Sequence, residues 1–147
     1  MPRFAPVGAF SDVDIFTAVI DGGISMTGTF PVGFAPFICG NTITGSVHLN
    51  SVTVIPLGLF EGTIGDPDND FRSCPGNTIS GSFHMSNSSV FAVESNSVGG
   101  SVLLSGSTLE LNGNTINGSL RCTNGTVILP GEPTDPPGNT VHGKNTC

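Results

Sequence analysis

Residues 96–122 read NSVGGSVLLSGSTLELNGNTINGSLRC. The phrase Asn-Ser/Thr-apolar-x-Gly-Ser-apolar stands in this stretch twice, beginning at Asn96 and at Asn114, 18 residues apart. Six copies can be laid in register along the chain. They begin at Ala18 (AVIDGGISM), Asn41 (NTITGSVHL), Asn77 (NTISGSFHM), Asn96 (NSVGGSVLL), Asn114 (NTINGSLRC) and Asn139 (NTVHGKNTC). Their spacings are 23, 36, 19, 18 and 25 residues. A short repeat with excess length in some gaps is the signature of a solenoid whose insertions leave from one corner.

Each position of the copy has a physical reading. The third is apolar and β-branched throughout: Ile20, Ile43, Ile79, Val98, Ile116 and Val141. The seventh and ninth (Val47 and Leu49, Phe83 and Met85, Val102 and Leu104) share one face of a strand, because side chains alternate with period two. The fifth is always glycine, which implies either positive φ or a close backbone approach. The leading residue is Asn41, Asn77, Asn96, Asn114 and Asn139, with Ala18 in the first copy. Stacked coils would turn these asparagines into a ladder of side-chain amides that ends before Ala18. A second strand is expected after most copies, with apolar pairs Val52/Val54, Val90/Val93, Leu109/Leu111 and Val127/Leu129. The fold expected is therefore all-β: a single-stranded parallel β-helix, right-handed, of about six coils, stapled by disulfides.

At 147 residues the chain is one domain, divided into an N-terminal cap segment (1–17) and the β-helix repeats (18–147). Six of its ten phenylalanines fall at Phe4, Phe10, Phe16, Phe30, Phe34 and Phe37, beside Pro2, Pro6 and Pro36. Such a segment reads as cover for the open end of the first coil, or as an apolar docking surface. Residues 55–76 form the long insertion, and 130–138 a second, Pro-rich one.

The four cysteines fit the register. Cys122 and Cys147 are both ninth residues, on neighbouring coils, and a strand spacing of ~4.8 Å suits a disulfide. Cys39 and Cys74 precede Asn41 and Asn77 and are expected to meet across one coil. Pairs Cys39–Cys74 and Cys122–Cys147 imply an oxidising compartment, hence a secreted or cell-surface protein. No basic segment followed by an apolar one is visible, so export implies a mature form.

The net charge of −7 and the scattered Arg3, Arg72, Arg121 and Lys144 exclude a phosphate-tracking nucleic-acid surface. No apolar run reaches ~18 residues, so no membrane span is expected. Asp66, Asp68, Asn69 and Asp70 crowd together as oxygen ligands would, but without the Gly and Glu of an EF-hand loop, and read as a solvated acidic turn rather than a metal site. His48 and His84 are both eighth residues, facing outward in a column with Leu103 and Arg121; two imidazoles without a third ligand in register read as a surface ladder. Glu94 and Glu110 fall at different positions of their copies and form no carboxylate pair. No GxSxG motif occurs, and no Ser/His/Asp set converges. The second-position file Thr42, Thr78, Thr115 and Thr140 is interrupted by Ser97, a weak basis for ice binding, and Asn87, Asn117 and Asn124 open glycosylation sequons.

The runs GNTINGSLRC (113–122) and GNTVHGKNTC (138–147), separated by a Pro-rich gap, resemble the C-terminal half of small exported β-helical repeat proteins of high-GC Gram-positive bacteria. The resemblance covers 77–147 well and 39–76 loosely, and leaves 1–38 uncovered. It implies the fold and export, and no activity. The apolar-x-Gly-Ser-apolar beat is also similar to that of bactofilins, cytosolic polymer-forming β-helices that usually lack this cysteine arrangement. The expectation is a non-enzymatic structural or surface protein without cofactor, self-assembling end to end. The rival is a carbohydrate-binding or polysaccharide-processing module with a cell-surface glycan as partner.

Overall fold

The computed structural model describes residues 13–30, 36–54, 63–64, 75–130 and 138–147. Among them there is no helix; every regular element is a strand, and every strand pairing is parallel. The strands form two sheets, one of twelve strands that curls as a half-barrel and one of six. This is the parallel β-solenoid class.

The six-stranded sheet is built from the first residues of the six copies. Val19–Ile20, Thr42–Ile43, Thr78–Ile79, Ser97–Val98, Thr115–Ile116 and Thr140–Val141 pair in that order, each β-branched third residue on the next. The seventh and ninth residues do the same in the long sheet. Val47 sits on Phe83, Val102 and Leu120, and Leu49 on Met85, Leu104 and Cys122. Nearly all of these side chains are shielded from water, so the columns are the core. One coil has no partner for its apolar face; the stack supplies it.

From Gly45 onward the glycine column is explained by close approach, whereas Gly22 at the first rung has a positive φ of +120. Gly45, Gly81, Gly100, Gly118 and Gly143 are absent from the left-handed region, while each donates its N–H to the glycine carbonyl below at 2.7–3.0 Å. A Cβ on Gly118 would stand 2.7 Å from Gly100 O and 2.8 Å from Gly100 C, both backbone atoms. From Gly45 to Gly143 the column has no room for a side chain.

A third apolar column was not visible in the repeat. Ile15, Ile38, Ile64, Val93 and Leu111 stack through the strands Val13–Phe16, Pro36–Cys39, Thr63–Ile64 and the ends of Ser89–Glu94 and Thr108–Asn112. This corrects two readings. Residues 55–76 are not one excursion, because Thr63–Ile64 returns to the sheet with Ile64 fully buried. Phe37 and Phe30 are not a surface feature but buried, with Pro36–Cys39 an interior strand of the sheet. Phe16 lies at the end of the sheet and is exposed. Of the expected cap segment, residues 1–12 lie outside the described residues, and Val13–Phe16 is a sheet strand.

The expected apolar pair Val127/Leu129 of the last second strand is corrected as well, because Val127 is exposed and Leu129 only half-buried. Leu109 pairs with Ile128, and Thr108 with Val127. The turn at Asn124–Gly125, both residues with positive φ, holds one residue more than the turn at Gly106. One extra residue reverses which side chains face inward.

Candidate functional site

Buried polar rows fix the coils before any site is considered. Asn41, Asn77, Asn96 and Asn114 are buried, and Asn139 is half-buried at the end. The Oδ1 of each accepts from the preceding rung: Ala18 N–H to Asn41 at 2.9 Å, then the N–H and Nδ2 of Asn41 to Asn77, both at 3.0 Å, and so on to Asn139. Each Nδ2 also donates to a carbonyl of the third column's strands: Ile15, Ile38, Ile64, Val93 and Leu111 in turn. The amides thus tie the short sheet to the long one at every level.

Two hydroxyl rows were missed in the sequence. Ser46, Ser82, Ser101 and Ser119 each accept from the backbone N–H of the next rung at 3.0–3.2 Å. Ser88 and Ser107 are buried, accept from Val52 and Ser88 respectively, and donate to Ser86 O and Ser105 O. Serine in a Ser-rich chain carries no mark of burial; only its alignment with the corner gave it away.

At the last rungs, Cys122 and Cys147 form a disulfide with Cα atoms 4.7 Å apart. Cys122 occupies the column of Leu49, Met85 and Leu104, so the bond closes the end of that core column. Cys39 is fully buried and disulfide-bonded. Cys74 lies outside the described residues, as do Asp66, Asp68 and Asp70.

Among the described residues, three of the basic groups gather on the outer face of the long sheet. His48, His84, Leu103 and Arg121 follow one another in register because their neighbours at 47 and 49, 83 and 85, 102 and 104 face inward. The imidazoles of His48 and His84 have centroids 4.7 Å apart and tilt by 59°. Partial burial, and then the charge of His48, lower the pKa of His84, so at neutral pH it is held uncharged. Beside them runs a polar row of Asn50, Ser86, Ser105 and Thr123, in which Ser86 Oγ donates to Asn50 Oδ1 at 3.0 Å. The two rows bound a shallow groove of ≈ 390 Å³. Among the described residues, the groove is lined by the basic side chains of Arg121, His48 and His84 and by no carboxylate.

The remaining candidates are not brought together. Glu94 and Glu110 lie on adjacent strands out of register, Glu94 opposite Asn112 and Glu110 opposite Ala92. Both are buried, which their polar character did not announce, and Asn112 Nδ2 donates to Glu94 Oε1 at 3.3 Å. His142 lies on the short sheet beyond Val141. Thr42, Thr78, Ser97, Thr115 and Thr140 form one exposed, in-register file there. Among the described residues no three His, Cys, Asp or Glu side chains converge as a metal site, and no helix is long and apolar enough to cross a membrane. Comparison with protein-family models, curated proteins and solved structures finds no match to the chain.

Proposed function

We propose that this protein is a non-enzymatic exported structural element, a right-handed β-helix of six coils that joins other copies through its two ends. Right-handed crossover is the strong preference for parallel strands, and the six strands of the short sheet supply one strand per coil. The disulfide Cys122–Cys147 supports an oxidising compartment.

The observation that carries self-association is where exposed apolar side chains fall. Among the described residues the large ones are Phe16, Val19, Val127 and Ile128. Phe16 and Val19 belong to Val13–Phe16 and Val19–Ile20, the first strands of the two sheets. Val127 and Ile128 belong to Val127–Leu129, which is paired on one side only, with Thr108–Asn112, at the other end. Exposed strand edges that carry apolar side chains are templates for a further strand. Here they flank a stack whose own spacing a second copy would continue.

Sizing by light scattering together with negative-stain electron microscopy, across a concentration series of the oxidised protein, tests the reading. Rods lengthening with concentration are expected, and a Val127→Asp/Ile128→Asp variant is expected to remain a monomer. A wild-type protein that stays monomeric at every concentration overturns it.

A further inference from the structure

We propose that the outer groove is a pH-gated binding site for a linear, carboxylate-bearing polysaccharide lying along the solenoid axis. The site stands on charge and geometry. In a chain of net charge −7, three basic side chains and, among the described residues, no carboxylate line one groove. They are spaced by strand steps: His48 and His84 on adjacent strands, Arg121 two strands beyond His84, with Leu103 between. A strand step of ~4.8 Å is close to the length of one pyranose in an extended chain, so successive or alternate sugar carboxylates fall opposite successive or alternate rungs. Leu103 offers an apolar patch to the C–H face of the sugar between them. Asn50, Ser86, Ser105 and Thr123 supply amide and hydroxyl partners for ring substituents along the same axis. Arg121 is a permanent cation with a planar fork matched to carboxylate.

The gate is the histidine pair. Ser25 and Leu103, neither of them titratable, are the pair's in-register neighbours on the flanking strands, and Arg121, two strands beyond His84, is the next charged group along the column. Histidine is the side chain that gains positive charge as pH falls from 7 toward 5, while sugar carboxylates stay ionised. A bound carboxylate between the rings offsets their repulsion, so ligand and proton favour one another.

This site lies on a side face and is independent of contacts at the ends, so the test uses the Val127→Asp/Ile128→Asp protein. The probe is a tetramer of galacturonic acid, titrated by calorimetry, with the neutral galactose tetramer as comparison. Binding is expected to tighten by at least about tenfold between pH 7.5 and pH 5.0 and to weaken with added salt. A His48→Asn/His84→Asn variant is expected to lose the pH response and keep the weak neutral-pH binding. Arg121→Gln is expected to weaken binding at both pH values, and Arg121→Lys to restore part of it. Equal binding of the neutral tetramer, an unchanged affinity from pH 7.5 to 5.0, or a pH response that survives the double histidine variant overturns the proposal. Failure here leaves the end-to-end reading standing, and rods that never form leave this one standing.

Discussion

Asn96 Oδ1 accepts two hydrogen bonds from Asn77, one from its backbone N–H and one from its Nδ2, both at 2.9 Å. Asn96 Nδ2 then donates to Ile64 O at 2.7 Å and to Asn114 Oδ1 at 3.0 Å. One side chain therefore satisfies groups of three residues, Asn77, Ile64 and Asn114, within a buried environment.

Removing it leaves several buried donors and acceptors without partners, each a penalty of order 1–3 kcal/mol. Asn96→Ala is expected to lower unfolding free energy by about 3 kcal/mol or more, measured by denaturant titration. Asn139→Ala, at the half-exposed last rung, is expected to lose less than half as much. Equal losses at the two positions would refute the ladder as a buried tie.

The glycine column makes a second, sharper contrast. Gly118→Ala drives a Cβ against the backbone of Gly100, which cannot swing aside as a flexible side chain can. We expect a loss of about 3 kcal/mol or more. Gly125 has φ +72 and open space around its missing Cβ, so Gly125→Ala is expected to lose only about 1 kcal/mol, from backbone strain.

The terminal staple closes a loop of 25 residues, and Cys147→Ser is expected to reduce stability by roughly 3 kcal/mol. Hydrogen exchange should show the effect concentrated in residues 138–147, with protection at Asn96 and Val98 unchanged. Uniform loss of protection would count against a local clasp.

Stability should depend on His84. Its folded-state pKa is lowered from the ordinary 6.5, so the unfolded chain binds the proton more readily. As pH falls through 6.5 toward the folded value, stability is progressively lost; above 6.5 it is fully present. The denaturation midpoint is expected to rise between pH 5 and pH 7, and His84→Asn to remove part of that slope. A slope of the opposite sign would show that the ring is stabilised as a cation.

Ala18 stands where the amide row needs a further Oδ1. A copy stacked head to tail would set Ala18 against Asn139 and supply no acceptor there. Ala18→Asn is therefore expected to lengthen rods at a given protein concentration, read by sizing. Shorter rods would show that the junction does not continue the coil register.

The register, the amide row and the His48–Arg121 column were legible in the sequence because each rests on repetition at a fixed offset. The column of Ile15, Ile38 and Ile64 was not, because Pro36–Cys39 looks like a Phe/Pro-rich surface run and Thr63–Ile64 is two residues inside a long gap. Thr63–Ile64 pairs with both Pro36–Cys39 and Ser89–Glu94 and resembles neither. The offset at Ile128 was hidden by a single extra turn residue. The groove's charge was harder to see. His48, His84 and Arg121 are 36 and 37 residues apart, and only the unequal lengths of the intervening coils bring them to successive or alternate strands.

The amide row also has a direction: every level hands its hydrogens toward the C-terminal end and receives at its oxygen from the other. Any stretch of it that begins and ends on an asparagine rung is complementary at its two ends. A gene segment encoding residues 96–113 is thus a self-contained module, and tandem duplication of it would lengthen the protein while reusing only interactions it already makes.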